Sequence, residues 1–150
     1  TPESRVLDLY CGIGNFTLPL ARHAGEVLGV EGDAALVERA RHNAQVNGIA
    51  NVELIAADLS RPLDDLPWLS RGFSHVLLDP PRAGARDVMR TIARIAPLRV
   101  LYISCHPGSL ARDVGALVHE HGFALRAAGV VDMFPHTTHV ESIALLTPGG

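Results

Sequence analysis

Short apolar runs alternate with helix-compatible stretches along this sequence, and most of the runs end at a glycine turn or a carboxylate. Seven runs predict strands, at residues 6–9, 26–31, 52–57, 73–78, 99–104, 124–131 and 140–146. The runs are continuously apolar, which is typical of strands buried on both faces of a sheet. Helices between strands predict a mostly parallel sheet with right-handed crossovers. We therefore expect an α/β fold with a seven-stranded, mostly parallel sheet and helices on both of its faces.

Four stretches between the runs predict helices, at residues 16–23, 33–48, 85–96 and 109–121. Asp33 can cap the second of these helices, and Asn47-Gly48 ends it, as is common at helix C-termini. No linker or repeat divides the chain, so residues 1–150 are expected to form one domain. The polar and glycine residues collect just after the strands, which is where open α/β sheets bind their ligands.

Composition excludes several classes of protein. Of the 150 residues, 47% are hydrophobic and 19% are charged, which supplies a core and argues against disorder. The apolar runs are far shorter than a membrane span, and the first residues do not resemble a secretion signal. Two cysteines, Cys11 and Cys105, are too few for a disulfide scaffold. We therefore expect a reduced, cytoplasmic protein with no membrane partner.

The net charge of −3 argues against a simple basic nucleic-acid binder, but the charge is unevenly distributed. Residues 1–60 carry four Arg and eight Asp or Glu, a balance of −4, whereas residues 61–112 carry eight Arg and four Asp, a balance of +4. Residues 113–150 carry one Arg and four acids, a balance of −3. The basic residues are thus concentrated in the central segment of the chain.

A glycine turn follows the first predicted strand. Gly12 and Gly14 let the backbone approach a ligand closely, and Glu31, at the end of the second strand, can accept hydrogen bonds from a ribose diol. These features suit either a dinucleotide or S-adenosylmethionine. The dinucleotide fingerprint requires a third glycine where this chain has Thr17, and the chain has no lysine for a phosphate loop. Asp8, just before the turn, disfavours a pyrophosphate and suits a sulfonium or ammonium cation.

Four carboxylates fall at or near the ends of predicted strands, namely Asp8, Glu31, Asp58 and Asp79. Each of them alone is compatible with a helix cap. Four at corresponding positions of different strands are better explained as a ring around adenosine and methionine. S-adenosylmethionine is therefore the cofactor that we expect.

Three further features are candidates for a reacting site. Asp79-Pro80-Pro81-Arg82 leaves the fourth strand as a stiff, extended loop that can hold a flat base beside a methyl donor, although it also suits a structural turn. Cys105 ends the fifth strand directly before a helix, whose N-terminus stabilises a reactive thiolate; a buried core thiol is the alternative. Glu141 begins the last strand among apolar neighbours. A buried carboxylate at this position needs a bonding partner or has a function, and an exposed residue at the edge of the sheet is the alternative.

Two histidine pairs lie in the last third of the chain, His119 with His121 and His136 with His139. Neither pair has neighbours in the sequence that complete a credible set of four metal ligands. We therefore predict no metal site in this chain.

Four motifs resemble those of RNA uracil-5-methyltransferases. Residues 6–21 (VLDLYCGIGNFTLPLA) are similar to the family's cofactor motif, and residues 79–84 (DPPRAG) are similar to its proline loop. Residues 104–113 (SCHPGSLARD) resemble the nucleophile motif, and residues 132–141 (DMFPHTTHVE) resemble the closing motif that holds the base. The resemblance covers essentially the whole chain and is closer to the ribosomal RNA branch of the family than to the tRNA branch. It implies the Rossmann-like fold of class I S-adenosylmethionine-dependent methyltransferases.

The resemblance also implies roles for individual residues. Cys105 is the expected nucleophile and Glu141 is the expected base. The expected cofactor-binding residues are Tyr10, Gly12, Gly14, Asn15, Glu31, Asp58 and Asp79. The implied reaction is methyl transfer to C5 of uracil in RNA, in 23S rRNA rather than tRNA, with no part for DNA.

The sequence departs from the family pattern in two motifs. His106 follows the cysteine where the family usually has Asn, and Thr138-His139-Val140 precedes the glutamate where Gly-His-Leu is common. Neither departure removes a reacting group. The family also has an N-terminal RNA-binding domain and a central iron–sulfur domain, whose segments and cysteines are not found in these residues. We therefore expect a catalytic domain of a longer protein, with an iron–sulfur cluster only in a missing upstream domain.

Three alternative functions stay open from the residues alone. An RNA cytosine-5-methyltransferase shares the fold and the strand-end thiolate, but it needs a second cysteine in the proline loop, where this chain has Pro81-Arg82. An exocyclic-amine methyltransferase needs an aromatic residue at position 82 and has no need of Cys105. A non-catalytic S-adenosylmethionine-binding module has no use for both Cys105 and Glu141.

The residues expected at the RNA surface are Pro80, Pro81, Arg82 and Arg112. Arg82 and Arg112 lie just beyond strand ends, so we expect one of them to contact the RNA backbone or to orient the active-site loop. Arg86, Arg90 and Arg94 recur every four residues and predict one stripe on a helix. We interpret this stripe as a solvated face, because crossover helices usually flank the sheet away from its ligand edge.

Overall fold

The computed structural model describes residues 1–63, 66–133 and 140–150. Within them, the strands are β1 (Arg5–Leu9), β2 (Glu26–Glu31), β3 (Val52–Ala56), β4 (His75–Leu78), β5 (Arg99–Ser104), β6 (Phe123–Val131) and β7 (Glu141–Pro148). The α-helices are α1 (Thr17–Ala21), α2 (Ala34–Val46), α3 (Met89–Ile95) and α4 (Pro107–His119). Two short 3₁₀ helices, Pro67–Arg71 and Arg86–Val88, precede β4 and α3.

The strands form one sheet in the order β3-β2-β1-β4-β5-β7-β6. Strands β1 to β5 pair in parallel, whereas β7 runs antiparallel to both of its neighbours, β5 and β6. The prediction of a seven-stranded, mostly parallel sheet is confirmed. The strand order reverses at β1, which lies between β2 and β4, and open α/β sheets bind their ligands at such a switch point.

Helices pack against both faces of the sheet, as the sequence predicts. On one face, Ile92 of α3 and Leu117 of α4 are buried in the largest core cluster together with Tyr102 of β5. On the other face, Ala21 of α1 packs in a smaller cluster with Val27 of β2. Burial of a large apolar side chain stabilises a fold by about 1.5–3 kcal/mol, so these layers hold the strand ends in fixed positions.

Helix α2 has the boundaries that its capping residues predict. The Asp33 side chain accepts a hydrogen bond from the amide of Ala35 at 2.7 Å, and the helix ends at Asn47, which Gly48 follows with a φ of +64°. Helix α1 is shorter than the predicted stretch 16–23.

The predicted helix over residues 85–96 does not begin at Ala85, whose amide donates to the side chain of Asp113. The chain then forms one 3₁₀ turn before α3 begins. Arg86 lies in that turn, whereas Arg90 and Arg94 lie in α3, so the predicted single helical stripe is wrong. All three arginines are exposed.

No helix in the described residues is both long enough and apolar enough to cross a membrane.

Candidate active site

The carboxyl ends of β1, β4 and β5 meet at one edge of the sheet because these strands are parallel and adjacent. Strand β7 starts at the same edge, because it is antiparallel to β5. The residues that follow the three parallel strands therefore lie beside the first residue of β7. The motifs expected to contain the cofactor site, the proline loop, the nucleophile and the base therefore all adjoin this edge.

The glycine turn after β1 is held open by a left-handed backbone. Tyr10, Gly12 and Gly14 have φ values of +64°, +54° and +90°, and such values are rare for residues other than glycine. A Cβ atom at Gly14 would lie 3.1 Å from Cγ of Leu18, so the turn also packs closely against α1. The two glycines therefore fix the path of the backbone over the edge.

Glu31 at the end of β2 holds this turn. Its Oε2 accepts a hydrogen bond from the amide of Gly12 at 3.0 Å, and its Oε1 accepts one from the amide of Asp33 at 3.1 Å. Each carboxylate oxygen keeps a second lone pair for a ligand. Glu31 thus orients the glycine turn as well as facing the crevice, a role that the sequence does not indicate.

A crevice of about 390 Å³ opens between these elements. The residues around it include Tyr10, Glu31, Asp58, Leu59, Asp79 and Pro81. Asn15 instead lines a separate crevice of about 260 Å³, together with Gly14. The structure therefore brings together most of the predicted cofactor-binding residues and places Asn15 on another side of the glycine turn.

Tyr10 forms one wall of the larger crevice. Its hydroxyl donates to the carbonyl of Leu59 at 3.3 Å. Burial, with smaller contributions from Asp87 and other carboxylates, raises the pKa of Tyr10 to about 12. The phenol is therefore a neutral hydrogen-bonding group at physiological pH.

The carboxylates of the crevice differ in their electrostatics. The Ser60 hydroxyl and amide donate to Asp58 at 2.6 and 3.0 Å, and these bonds lower the pKa of that exposed carboxyl. The pKa of Asp79 is raised, first by burial and then by the negative charge of Glu141. The crevice therefore contains a firmly ionised acid at its open side and a more easily protonated one beside the predicted base.

Asp8 differs from the ring of carboxylates expected from the sequence, because it is fully buried below the edge. Its Oδ2 accepts a hydrogen bond from the Thr17 hydroxyl at 2.5 Å, and its Oδ1 has no hydrogen-bond partner in the described residues. Burial raises the pKa of Asp8 to about 7, with further contributions from the charges of Asp79 and Glu31. A positive charge in the crevice would favour the ionised form of this group.

Cys105 and Glu141 are neighbours across two antiparallel strands. Ser104 of β5 pairs with Ser142 of β7, and the Ser142 hydroxyl donates to the carbonyl of Ser104 at 2.9 Å. Cys105 follows Ser104 and Glu141 precedes Ser142, so the antiparallel register brings these two residues to adjacent positions. Both residues are partly exposed.

His106 caps α4. Its Nδ1 accepts a hydrogen bond from the amide of Ser109 at 3.1 Å, which is the bond that an Asn side chain makes at a helix N-cap. Because Nδ1 is the acceptor, the neutral ring carries its proton on Nε2. The departure from the family pattern at this position therefore keeps the helix cap, and it keeps Cys105 directly before the helix.

The proline loop lies beside the start of α4. Pro80 is buried, whereas Pro81 and Arg82 are exposed. Arg112 is half-exposed, and its guanidinium is directed at the loop, where it donates to the carbonyl of Ala83 at 2.8 Å. Of the two arginines predicted to bind RNA or to orient the loop, Arg112 contacts the loop in this structure.

Three residues of this region have no role in the sequence interpretation, namely Tyr102, Ser109 and Asp113. Asp113 is fully buried, and it accepts hydrogen bonds from the Tyr102 hydroxyl and from the Ala85 amide. The available signal was an acidic residue on the apolar face of an amphipathic helix, where a carboxylate needs partners.

No group of three or more metal-ligating side chains is found in the residues that the structure describes. Of the two histidine pairs, His119 is the last residue of α4 and His121 follows the helix, whereas His136 and His139 lie outside the described residues. Thr138, which precedes His139 in the predicted closing motif, also lies outside them.

The crevice fits S-adenosylmethionine. Glu31, Asp58 and Asp79 supply carboxylate oxygens, which accept hydrogen bonds from hydroxyl and ammonium groups. No side chain occupies the space where a Cβ atom of Gly12 would lie, so a ligand can approach this backbone closely. The acidic lining suits a cationic ligand and disfavours a pyrophosphate.

The strand order, the antiparallel β7, the glycine turn and the acidic crevice define the Rossmann-like fold of class I S-adenosylmethionine-dependent methyltransferases. The family model described as tRNA (Uracil-5-)-methyltransferase matches residues 1–148. The chain belongs to this family of RNA uracil-5-methyltransferases, as its motifs predict.

Two relatives with high identity carry a ribosomal RNA name, in agreement with the branch indicated by the motifs. The chain is 62% identical over 141 residues to the 23S rRNA (uracil(1939)-C(5))-methyltransferase RlmD of Xylella fastidiosa Temecula1, covering 94% of the chain and 32% of that relative. It is 60% identical over 144 residues to RlmD of Alkalilimnicola ehrlichii, covering 96% of the chain and 32% of the relative. The chain thus spans about a third of the length of these relatives.

A solved structure shares the fold closely. The tRNA (uracil-54, C5)-methyltransferase of Pyrococcus abyssi, in complex with S-adenosyl-L-homocysteine, superposes with a TM-score of 0.82 at 32% sequence identity. The superposition covers 97% of this chain and 34% of that one. The fold class predicted from the sequence is therefore confirmed.

Proposed function

We propose that residues 1–150 form the catalytic domain of an S-adenosylmethionine-dependent RNA uracil-5-methyltransferase that acts on 23S rRNA. The family membership and the names of the two RlmD relatives support this proposal. The single observation that carries it is the pairing of Ser104 with Ser142, from which adjacent positions for Cys105 and Glu141 follow, and the charge of Glu141 also acts on Asp79 of the acidic crevice.

The proposed cofactor-binding residues are Tyr10, Gly12, Gly14, Asn15, Glu31, Asp58 and Asp79. Glu31 is the candidate for the ribose hydroxyls, because its oxygens lie at the end of β2 and hold the glycine turn. Asp79 is the candidate for binding the end of the cofactor nearest to Glu141, because the negative charge of Glu141 contributes to the raised pKa of Asp79. S-adenosylmethionine, when bound there, would supply an electrophilic methyl group and leave as the thioether S-adenosylhomocysteine, so that its bond from sulfur to methyl breaks as the bond from methyl to C5 forms.

C5 of uracil is a poor nucleophile, and Cys105 is proposed to activate it. The Cys105 thiolate adds to C6, so an S–C6 bond forms and the C5–C6 π electrons move toward the O4 carbonyl as an enolate. The enolate makes C5 nucleophilic toward a methyl group. Covalent catalysis of this kind divides one difficult step into easier ones.

Glu141 is proposed to complete the reaction as a general base. After methylation C5 still carries its proton, and the Glu141 carboxylate removes it. The electron pair of the C–H bond then re-forms the C5–C6 double bond, and the S–C6 bond breaks to release the thiolate. A base on the strand beside the nucleophile is in a suitable place for this task.

The target uracil must leave its stack to reach Cys105, so the substrate is a flipped or single-stranded uridine in RNA. Pro81 and Arg82 are proposed to face this base, because the loop is stiff and these two residues are exposed, whereas the buried Pro80, which the sequence places at the RNA surface, is proposed only to fix the path of the loop. The Arg82 guanidinium suits a phosphate of the RNA backbone. DNA and membranes have no part in the proposal, and an iron–sulfur cluster belongs to it only in a segment outside these residues. An RNA substrate of this kind favours a cytoplasmic location.

A covalent trap tests the proposed function. RNA that contains 5-fluorouridine cannot lose a proton from C5, so it should remain bound to the natural full-length protein after methyl transfer. We expect a cofactor-dependent protein–RNA adduct on a denaturing gel, which is absent for Cys105→Ala. A wild-type protein that binds the cofactor but forms no adduct would favour a non-catalytic binding module and overturn the proposal.

A further inference from the structure

One face of α4 is bonded to the backbone of the proline loop. The Ser109 hydroxyl donates to the carbonyl of Arg82 at 2.7 Å, and the Arg112 guanidinium donates to the carbonyl of Ala83 at 2.8 Å. The carboxylate of Asp113 accepts a hydrogen bond from the amide of Ala85 at 2.7 Å. We call Ser109, Arg112 and Asp113 the α4 clamp.

Asp113 is the centre of the α4 clamp. Its Oδ2 accepts hydrogen bonds from the Ala85 amide and from the Tyr102 hydroxyl, the latter at 2.6 Å. Its Oδ1 accepts one from Nε of Arg112 at 2.8 Å and forms an ion pair with Nη2 of the same guanidinium, also at 2.8 Å. A fully buried carboxylate with three hydrogen-bond donors and an ion pair holds the helix and the loop in a fixed arrangement, because the loss of any donor leaves an uncompensated buried acceptor.

Gly84 is the point of closest approach between the loop and the clamp. A Cβ atom at this residue would lie 2.5 Å from both the Arg112 guanidinium and the Asp113 carboxylate, and 3.1 Å from Cβ of Ser109. Its φ of +88° also favours glycine. The loop can therefore lie this close to α4 only with glycine at this position.

The same helix begins two residues after Cys105. A displacement of α4 relative to the proline loop would therefore change the distance between the thiol and the loop that follows Asp79. We propose that Asp113 and Arg112 are positioning residues, which set the proline loop against Cys105 so that a base held by the loop meets the thiol. This inference rests on the proposed function, and it assigns Arg112 to the protein rather than to RNA phosphate.

The test compares Arg112→Ala and Tyr102→Phe with the wild type in the natural full-length protein. Each variant removes a donor to Asp113 without adding bulk, and Arg39→Ala, at an exposed arginine on α2, is the matched control. We expect the rate of adduct formation at saturating RNA and cofactor to fall by about 100-fold, the cost of a displacement of about 1 Å between reacting groups. Cofactor affinity by calorimetry should stay within about 2-fold, and Arg112→Lys, which keeps one donor, should recover part of the rate.

Salt dependence separates positioning from RNA contact. Loss of a phosphate contact lowers the slope of log affinity against log salt by about 0.7–0.9, whereas loss of a positioning residue leaves the slope unchanged. Arg112→Ala with a lower slope and a normal rate at saturating RNA would overturn the inference, as would normal rates in both variants. A wild-type protein that forms no adduct would instead overturn the proposed function, so the two failures are distinguishable.

Discussion

The amide of Gly12 donates a hydrogen bond to the Glu31 carboxylate at 3.0 Å, and this bond joins the glycine turn after β1 to the end of β2. Both oxygens of Glu31 accept backbone hydrogen bonds, the second from the amide of Asp33. The residue expected to bind a ribose diol therefore also determines where the backbone of the cofactor site lies. Mutations at Glu31 should change both the ligand contact and the shape of the turn.

Glu31→Ala should weaken S-adenosylmethionine binding by about 1–3 kcal/mol, the range for leaving buried hydrogen-bonding groups without partners. Glu31→Gln should weaken it less, because the amide oxygen can still accept the Gly12 hydrogen bond. Calorimetry measures both affinities, with Glu38→Ala on the exposed face of α2 as the control. Unchanged affinity in a folded Glu31→Ala protein would remove Glu31 from the cofactor site.

Cys105 and Glu141 should fail at different steps. Cys105→Ala should form no covalent RNA complex, because no thiolate is present to add to C6. Glu141→Gln should methylate the base and stay attached to it, because an amide cannot remove the C5 proton. A denaturing gel with labelled RNA separates these outcomes. If Glu141→Gln turned over like the wild type, Glu141 would have no part in the mechanism.

The contribution of the buried Asp8 to the stability of the fold should decrease as the pH rises. Its pKa in the folded chain is about 7 instead of its ordinary 3.8, so between these values the folded chain holds a proton that the unfolded chain has released. The contribution of Asp8 to the free energy of unfolding therefore falls from about pH 4 to about pH 7. Asp79 contributes in the same direction, whereas His75, whose pKa burial lowers, contributes in the opposite one.

Asp8→Asn isolates the contribution of Asp8, because the amide oxygen can still accept the Thr17 hydrogen bond but does not titrate. Urea denaturation at several pH values should give a difference in stability between variant and wild type that moves in favour of the variant as the pH rises. A difference that is independent of pH across this window would contradict the buried, titrating carboxyl.

His106→Ala should destabilise the chain by about 1 kcal/mol, the usual cost of losing an N-cap acceptor. His106→Asn should retain most of the stability, because its side-chain oxygen can accept the Ser109 amide hydrogen in place of Nδ1. Urea denaturation at neutral pH measures both variants. Equal stability of His106→Ala and the wild type, or equal losses in the two variants, would show that the cap contributes little.

Much of the fold follows from local sequence patterns. The boundaries of β2 and β5 are those of the apolar runs at 26–31 and 99–104, because strands buried on both faces need continuous apolar residues. The caps of α2 could be located for a similar reason, since Asp33 satisfies amides of the first turn.

The direction of β7 and the partners of Asp113 could not be predicted in this way. The direction of a strand depends on the end of the sheet at which the chain re-enters it, and the apolar pattern of β7 is the same in either direction. The proximity of Cys105 to Glu141 follows from the antiparallel direction of β7. The bonds of Asp113 to Ala85 and Tyr102 join segments far apart in sequence, so only the packed structure contains them.

Nucleoside mass spectrometry identifies the base, and the position on that base, to which the methyl group is transferred. RNA containing 23S rRNA, incubated with the natural full-length protein and S-adenosylmethionine labelled in its methyl group, should yield the label in 5-methyluridine. The same incubation with Cys105→Ala should yield none. Label in 5-methylcytidine or in another base, or no transfer by a protein that calorimetry finds to bind the cofactor, would contradict the account.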